Sequence, residues 1–128
     1  PPAAVRLDGR DIGALPAFLD EIQALLGDAY PHFEVVWFGH IGDGNLHINV
    51  LKPEGLADAE FIAQCEQVTK LLAAALQRHA GSISAEHGIG LVKKPYLEST
   101  RSAAEIALMR GMKQVFDPNG ILNPGKLF

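Results

Sequence analysis

The chain has 128 residues and a mass of 13.8 kDa, enough for one domain with one core that buries roughly two-thirds of its unfolded surface. Apolar residues make up 48% and charged residues 20%, which excludes a disordered, collagen-like or coiled-coil chain. A net charge of −4 with no Lys/Arg cluster removes the electrostatic footprint that a nucleic-acid backbone or an anionic membrane would need.

Val5 to Leu7 alternates and is followed by the turn-rich Asp8-Gly9-Arg10-Asp11, so a short strand and a turn are expected. Between Ala14 and Leu26, apolar residues at 15, 18, 19, 22, 25 and 26 mark an amphipathic helix with Gly27 as its stop. Glu34 to Phe38 is rich in β-branched and aromatic residues and Leu46 to Val50 alternates. These two strands are expected to form a hairpin through the glycine-rich segment 39–45. A second and longer helix runs from Ala57 to His79 with its apolar stripe at 61, 62, 65, 68, 71, 72, 75 and 76, and ends near Gly81. Ser82 to Ser84 reads as a further short strand leading into the loop Ala85 to Gly90. A last helix, capped by Ser99, spans about Thr100 to Phe116 and is stopped by Asp117-Pro118-Asn119-Gly120. The order β-α-β-β-α-β predicts an α+β fold, a ferredoxin-like split βαβ antiparallel sheet with an additional C-terminal helix.

The longest wholly apolar run is Leu71 to Leu76, far short of the ~20 residues that span a bilayer, and no signal pattern opens the chain. With Cys65 alone no internal disulfide can form, and its place in a helical stretch suggests a buried thiol in a cytoplasmic protein.

Three of the five histidines have suggestive surroundings. His40 ends one strand and His47 opens the next, so a closed hairpin brings both rings to one end of the sheet. Neutral imidazole is the commonest ligand for divalent metals, and Glu86, directly after the strand at 82–84, is the candidate carboxylate that completes a three-ligand site with open positions. Asn49 shares a strand face with His47 and can present its amide to whatever a metal holds, and His87 adds a proton acceptor. The spacing leaves a plainer alternative open, a glycine-rich hairpin with two partly exposed histidines, because HxxxxxxH is not a specific ligand signature. His32 after a proline and His79 at a helix end read as surface groups. Asp43, inside Gly-Asp-Gly, reads as a turn carboxylate that bonds backbone amides. Trp37 and Phe38 read as core and pocket wall. The glycines at 42, 44, 88 and 90 match neither GxGxxG nor GxxxxGK, which disfavours nucleotide binding by this segment.

Three blocks, Phe38-Gly39-His40-Ile41-Gly42-Asp43-Gly44-Asn45-Leu46-His47-Ile48-Asn49, Ser84-Ala85-Glu86-His87-Gly88-Ile89-Gly90 and Phe116-Asp117-Pro118-Asn119-Gly120-Ile121-Leu122-Asn123-Pro124-Gly125-Lys126, resemble in content and order the C-terminal domain of FAD-linked oxidases. That family includes D-lactate dehydrogenase, the glycolate oxidase flavin subunit and D-2-hydroxyglutarate dehydrogenase. The resemblance implies a divalent-metal site, usually zinc, on His40, His47 and Glu86, with Asn49 and His87 facing a small 2-hydroxy acid and His87 accepting its proton. It also implies a substrate-carboxylate role for Arg6, although Gly9-Arg10-Asp11-Ile12 departs from the family's pattern there. By the same resemblance, residues 1–128 are the second half of a substrate-binding cap. FAD then sits on a separate flavin-binding domain that this chain does not contain, so the chain alone should be inactive. The parent enzyme is expected to be cytoplasmic or peripheral to a membrane. The rival reading is a free-standing metal- or acid-binding module, or a subunit of a separate flavoprotein.

Overall fold

A computed structural model describes residues 3–6 and 12–128, with side chains described from residue 13 onward except at position 41. The fold is α+β. Strand β1 (Ala3–Arg6) precedes a turn of 3-10 helix and helix α1 (Leu15–Ala29). Strands β2 (Glu34–His40) and β3 (Asn45–Leu51) form the hairpin, and helix α2 (Asp58–Arg78) follows. A 3-10 segment (Lys94–Ser99) leads to helix α3 (Ala103–Phe116). The turn expected at 8–11 lies outside the described residues.

The sheet order is β1-β3-β2 with both pairings antiparallel, so β1 and β2 run parallel with β3 inserted between them. This is the split βαβ unit. The expected strand at 82–84 contributes only a bridging residue, Ser82, because the Ser82 hydroxyl bonds locally, to the backbone of Ser84, and competes with a ladder.

Helices α1 and α2 cover one face of the sheet. Phe18, Ile22 and Leu26 from α1 meet Val68, Leu72, Ala75 and Leu76 from α2 over Leu46 and Ile48 of β3, with Ile83 closing the cluster. Phe18, Ile22, Ile48 and Leu76 are fully buried, and burying each such side chain contributes about 1.5–3 kcal/mol. Cys65 is buried, and desolvation pushes its thiol pKa up, which makes it a poor nucleophile.

The termini of the elements differ from the sequence expectation for local reasons. Helix α1 runs through Gly27 to Ala29 and closes where the Tyr30 amide donates to the Leu26 carbonyl, just before Pro31. At the end of α2, Ala80 rather than Gly81 takes the left-handed φ of 51°, and the Gly81 amide donates to the Leu76 carbonyl. Helix α3 starts later than expected. Ser99 ends the 3-10 segment, its hydroxyl donating to the Tyr96 carbonyl, while Ser102 is the N-cap in a reciprocal capping box with Glu105. His79 is more than a helix-end group. Its Nε2 lies 2.7 Å from Glu21 Oε2 and its ring stands edge-on to Phe18, tying α2 to α1 together with Arg78, which also donates to Glu21.

Candidate metal and substrate site

The other face of the sheet carries the chemistry. Strand periodicity puts Asn45, His47 and Asn49 of β3 on the face opposite Leu46 and Ile48, and the register sets Val36 opposite Asn49, Phe38 opposite His47 and His40 opposite Asn45. Trp37 and Val35 pack against the core. The two aromatics therefore divide: Trp37 serves the core, and the half-exposed Phe38 stacks flat on the His47 imidazole, ring centroids 4.8 Å apart.

Gly39 and His40 belong to β2 rather than to a loop, which begins only at residue 41. Gly39 is required by a close approach, since a Cβ there would overlap the Asn45 carbonyl oxygen and lie 3.0 Å from its carbon. His40 is thereby held at the strand end, in register with Asn45.

The loop at 84–90 brings Glu86 to this face. Its Oε1 lies 3.3 Å from His47 Nε2 and 3.6 Å from His87 Nε2, and its Oε2 lies 3.8 Å from His40 Nδ1. Gly88 and Gly90, with φ of 73° and 59°, turn the chain back after the Glu-His pair. Buried Asn45 fixes the carboxylate by donating from Nδ2 to Glu86 Oε2 at 2.7 Å. One carboxylate thus faces three imidazoles. His47 is buried, while His40 and His87 keep most of their side-chain surface in solvent.

These donors fit a divalent ion. A tetrahedral ion with ligands at ~2.1 Å spaces them about 3.4 Å apart, close to the 3.3 and 3.6 Å separations around Glu86 Oε1. The ligand atoms of His47, Glu86 and His87 all lie within 4.8 Å of one another, a tighter group than the expected His40, His47 and Glu86. The Oδ1 atoms of Asn45 and Asn49, which flank His47 along β3, are buried and have no hydrogen-bond donor among the described residues.

Arg6 pairs in register with Asn45 across β3, on the side away from His40, and its side chain lies outside the described residues. Asp43 accepts from the Asn45 side chain at 3.4 Å, and among the described residues no backbone amide donates to it. Two residues were missed in the sequence. Asn45 precedes His47 by two, so the same alternation that singles out Asn49 also selects it. Lys93 carries no such signal. It is half-buried, and desolvation lowers its ammonium pKa while the Glu86 carboxylate opposes that shift, which places its charge within electrostatic reach of Glu86.

The sheet with helices on one face and a His/Glu cluster on the other accords with a family-level match. The family described as FAD linked oxidases, C-terminal domain, matches residues 11–127, and the chain belongs to it. It is 76% identical over 117 residues to a D-2-hydroxyglutarate dehydrogenase of Xanthomonas citri pv. viticola, covering 91% of this chain and 25% of the relative. A D-2-hydroxyglutarate dehydrogenase of Stutzerimonas stutzeri is 57% identical over the same length and coverage. A D-lactate dehydrogenase of Anaerostipes hadrus is 42% identical over 100 residues, 78% of this chain and 21% of the relative. The chain spans about a quarter of the length of the first two of these relatives. Among the described residues, no helix is long and apolar enough to cross a membrane.

Proposed function

We propose that this chain is the metal- and substrate-holding part of an FAD-dependent 2-hydroxy acid dehydrogenase, of the D-2-hydroxyglutarate or D-lactate type, whose flavin is bound by a domain outside residues 1–128. The carrying observation is the Glu86 carboxylate, fixed by Asn45 and set 3.3–3.8 Å from the nitrogens of three histidines on the open face of the sheet.

His40, His47 and Glu86 would hold a divalent ion, zinc by its nitrogen-rich ligands. The ion would polarise the substrate hydroxyl as a Lewis acid, and FAD would accept the hydride. The rest is work for the chain's own side chains. His47 is held in orientation by Phe38 on its face, and Glu86 by Asn45. Asn49 Oδ1, buried with no donor among the described residues, accepts a hydrogen bond from a donor on the bound ligand, which relieves a buried acceptor that otherwise costs about 1–3 kcal/mol. His87, exposed beside Glu86, accepts the hydroxyl proton at Nε2 and passes it to solvent. Lys93, whose ammonium feels the Glu86 carboxylate, and Arg6, next to Asn45 in register, are the candidate cations for the substrate carboxylate. The buried lone Cys65 suits a reducing, cytoplasmic compartment.

A second ligand set, His47, Glu86 and His87, is favoured by the mutual proximity of their ligand atoms. Metal analysis of the full-length protein and four variants separates the readings. Both sets require His47→Ala and Glu86→Gln to lose the ion. The first requires His40→Ala to lose it while His87→Ala keeps it and loses turnover; the second requires the reverse for metal. Wild-type metal content in both His47→Ala and Glu86→Gln would refute the site.

A further inference from the structure

The turn between β2 and β3 carries a carboxylate that the metal and substrate site does not use. Asp43 closes the short 3-10 turn Ile41–Asp43, is exposed, and is followed by Gly44, whose left-handed φ of 67° turns the chain into β3. Its Oδ2 lies 3.4 Å from Asn45 Nδ2, the same nitrogen that donates to Glu86 Oε2 at 2.7 Å. Two carboxylates, one from the hairpin turn and one from the loop at 84–90, thus meet on a single amide group. An amide nitrogen carries two protons, so both carboxylates can be served at once, Glu86 by the short bond and Asp43 by the long one.

The other end of that amide shows why a second acceptor matters. Asn45 is 5% exposed, and its Oδ1 is buried with no donor among the described residues. The two ends of an amide are alike in shape, so packing does not choose between them and hydrogen bonding must. Turning the amide over is no remedy, because it sets the amide oxygen against two carboxylates. A hydrogen bond to one charged group and a buried acceptor left unpaired are contributions of similar size and opposite sign. With Glu86 as its only partner, the Asn45 side chain would therefore hold its place at little net gain, and the bond to Asp43 tips the balance.

We propose that Asp43 is a positioning residue of the metal site and acts through Asn45: by accepting the second Nδ2 proton it holds the amide with its donors toward Glu86, and so fixes the carboxylate that faces His40, His47 and His87. The proposal rests on the reading above that Glu86 is a metal ligand. Asp43 itself is not a ligand, since its partner is a donor, Asn45 Nδ2, and it lies outside the group whose ligand atoms converge, His47, Glu86 and His87. Its role is to orient, and neither its charge nor a bond to the ion is required for it.

The test uses the full-length protein, with zinc affinity read by competition with a chelator and the ligand set read from the absorption spectrum of the cobalt(II)-loaded protein. Asp43→Ala should weaken zinc binding by about tenfold, the lower end of what losing an outer partner of a ligand costs. Asp43→Asn keeps an acceptor oxygen without the charge and should stay within about threefold of the wild type. In an Asn45→Ala background, Asp43→Ala should bring no further loss, because the residue through which it acts is gone. At saturation, the cobalt spectrum of Asp43→Ala should match that of the wild type. Equal losses in Asp43→Ala and Asp43→Asn would assign the effect to charge. The same tenfold loss on top of Asn45→Ala would assign it to the turn, and an altered cobalt spectrum would make Asp43 a ligand; each of these overturns the proposal, as does wild-type zinc affinity in Asp43→Ala. Asp43→Ser, one bond shorter and suited to a turn, should lose as much as the alanine variant and repeats the measurement if that variant does not fold. A wild-type protein that binds zinc no more tightly than His47→Ala would refute the metal site itself, and with it the reading on which the proposal rests.

Discussion

The hairpin that carries His40 and His47 depends on one missing methyl group. In Gly39→Ala the new Cβ would overlap the Asn45 carbonyl oxygen, with the carbonyl carbon at 3.0 Å and Leu46 Cα at 3.1 Å, all of them backbone atoms that cannot rotate away. Relief requires β2 and β3 to part by on the order of 1 Å at the residue next to His40, and overpacking of this kind costs about 1–3 kcal/mol. Lower unfolded-state entropy returns only about 0.4–1 kcal/mol, so the clash wins. In urea, where small domains have slopes of about 1–3 kcal/mol/M, the midpoint should fall by roughly 1 M. Shifts of this size at His40 and at Asn45, which holds Glu86, should also weaken metal binding by about 10–100-fold. Gly27→Ala is the matched control. Position 27 lies inside α1 with nothing within 4 Å of a built Cβ, so this variant should be more stable by about 0.5–1 kcal/mol. Opposite signs for the two substitutions are expected; a Gly39→Ala variant with wild-type midpoint and wild-type metal affinity would refute the close-approach argument.

Asn45→Ala removes the 2.7 Å bond that orients Glu86 and should lower metal affinity by about 10–100-fold in a competitive chelator titration, with unchanged affinity speaking against any role for Asn45. Asp117 has its pKa held below the ordinary 3.8, first by the Lys113 ammonium and then by the Ile121 and Leu122 amides. A depressed carboxylate pKa means that its contribution is complete above that ordinary value and is lost as pH falls through the lowered one. The protection of the Ile121 and Leu122 amides, measured against their intrinsic exchange rates at each pH, should therefore fall on acidification in the wild type, and in Asp117→Asn should be low already at neutral pH. Ser102→Ala dismantles the capping box of α3 and should cost about 1 kcal/mol, read as faster exchange in the first turn of α3 than in α1.

Much of this molecule is written in short-range pattern. The stripes of α1 and α2 and the alternation of β3 repeat at the periods of their own backbones, so they are legible without knowledge of any partner. The hairpin follows from the six residues that separate His40 from His47, and the split βαβ order from the succession of elements. Tertiary structure decided what depends on atoms distant in sequence. Gly39 reads as a loop glycine until the Asn45 carbonyl lies where its side chain would be. Ser82 to Ser84 has strand-like composition but only Ser82 bridges. Asn45 meets Glu86 across 41 residues, and Lys93 feels the same carboxylate, neither relation having any period to betray it. Helix α3 shows the limit from the other side, since the spacing of Leu108, Met112 and Val115 puts them on one face and the fold leaves that face exposed among the described residues. A sequence specifies which face of a helix is apolar, because that is a property of one segment; what covers that face depends on where every other segment of the polypeptide comes to lie.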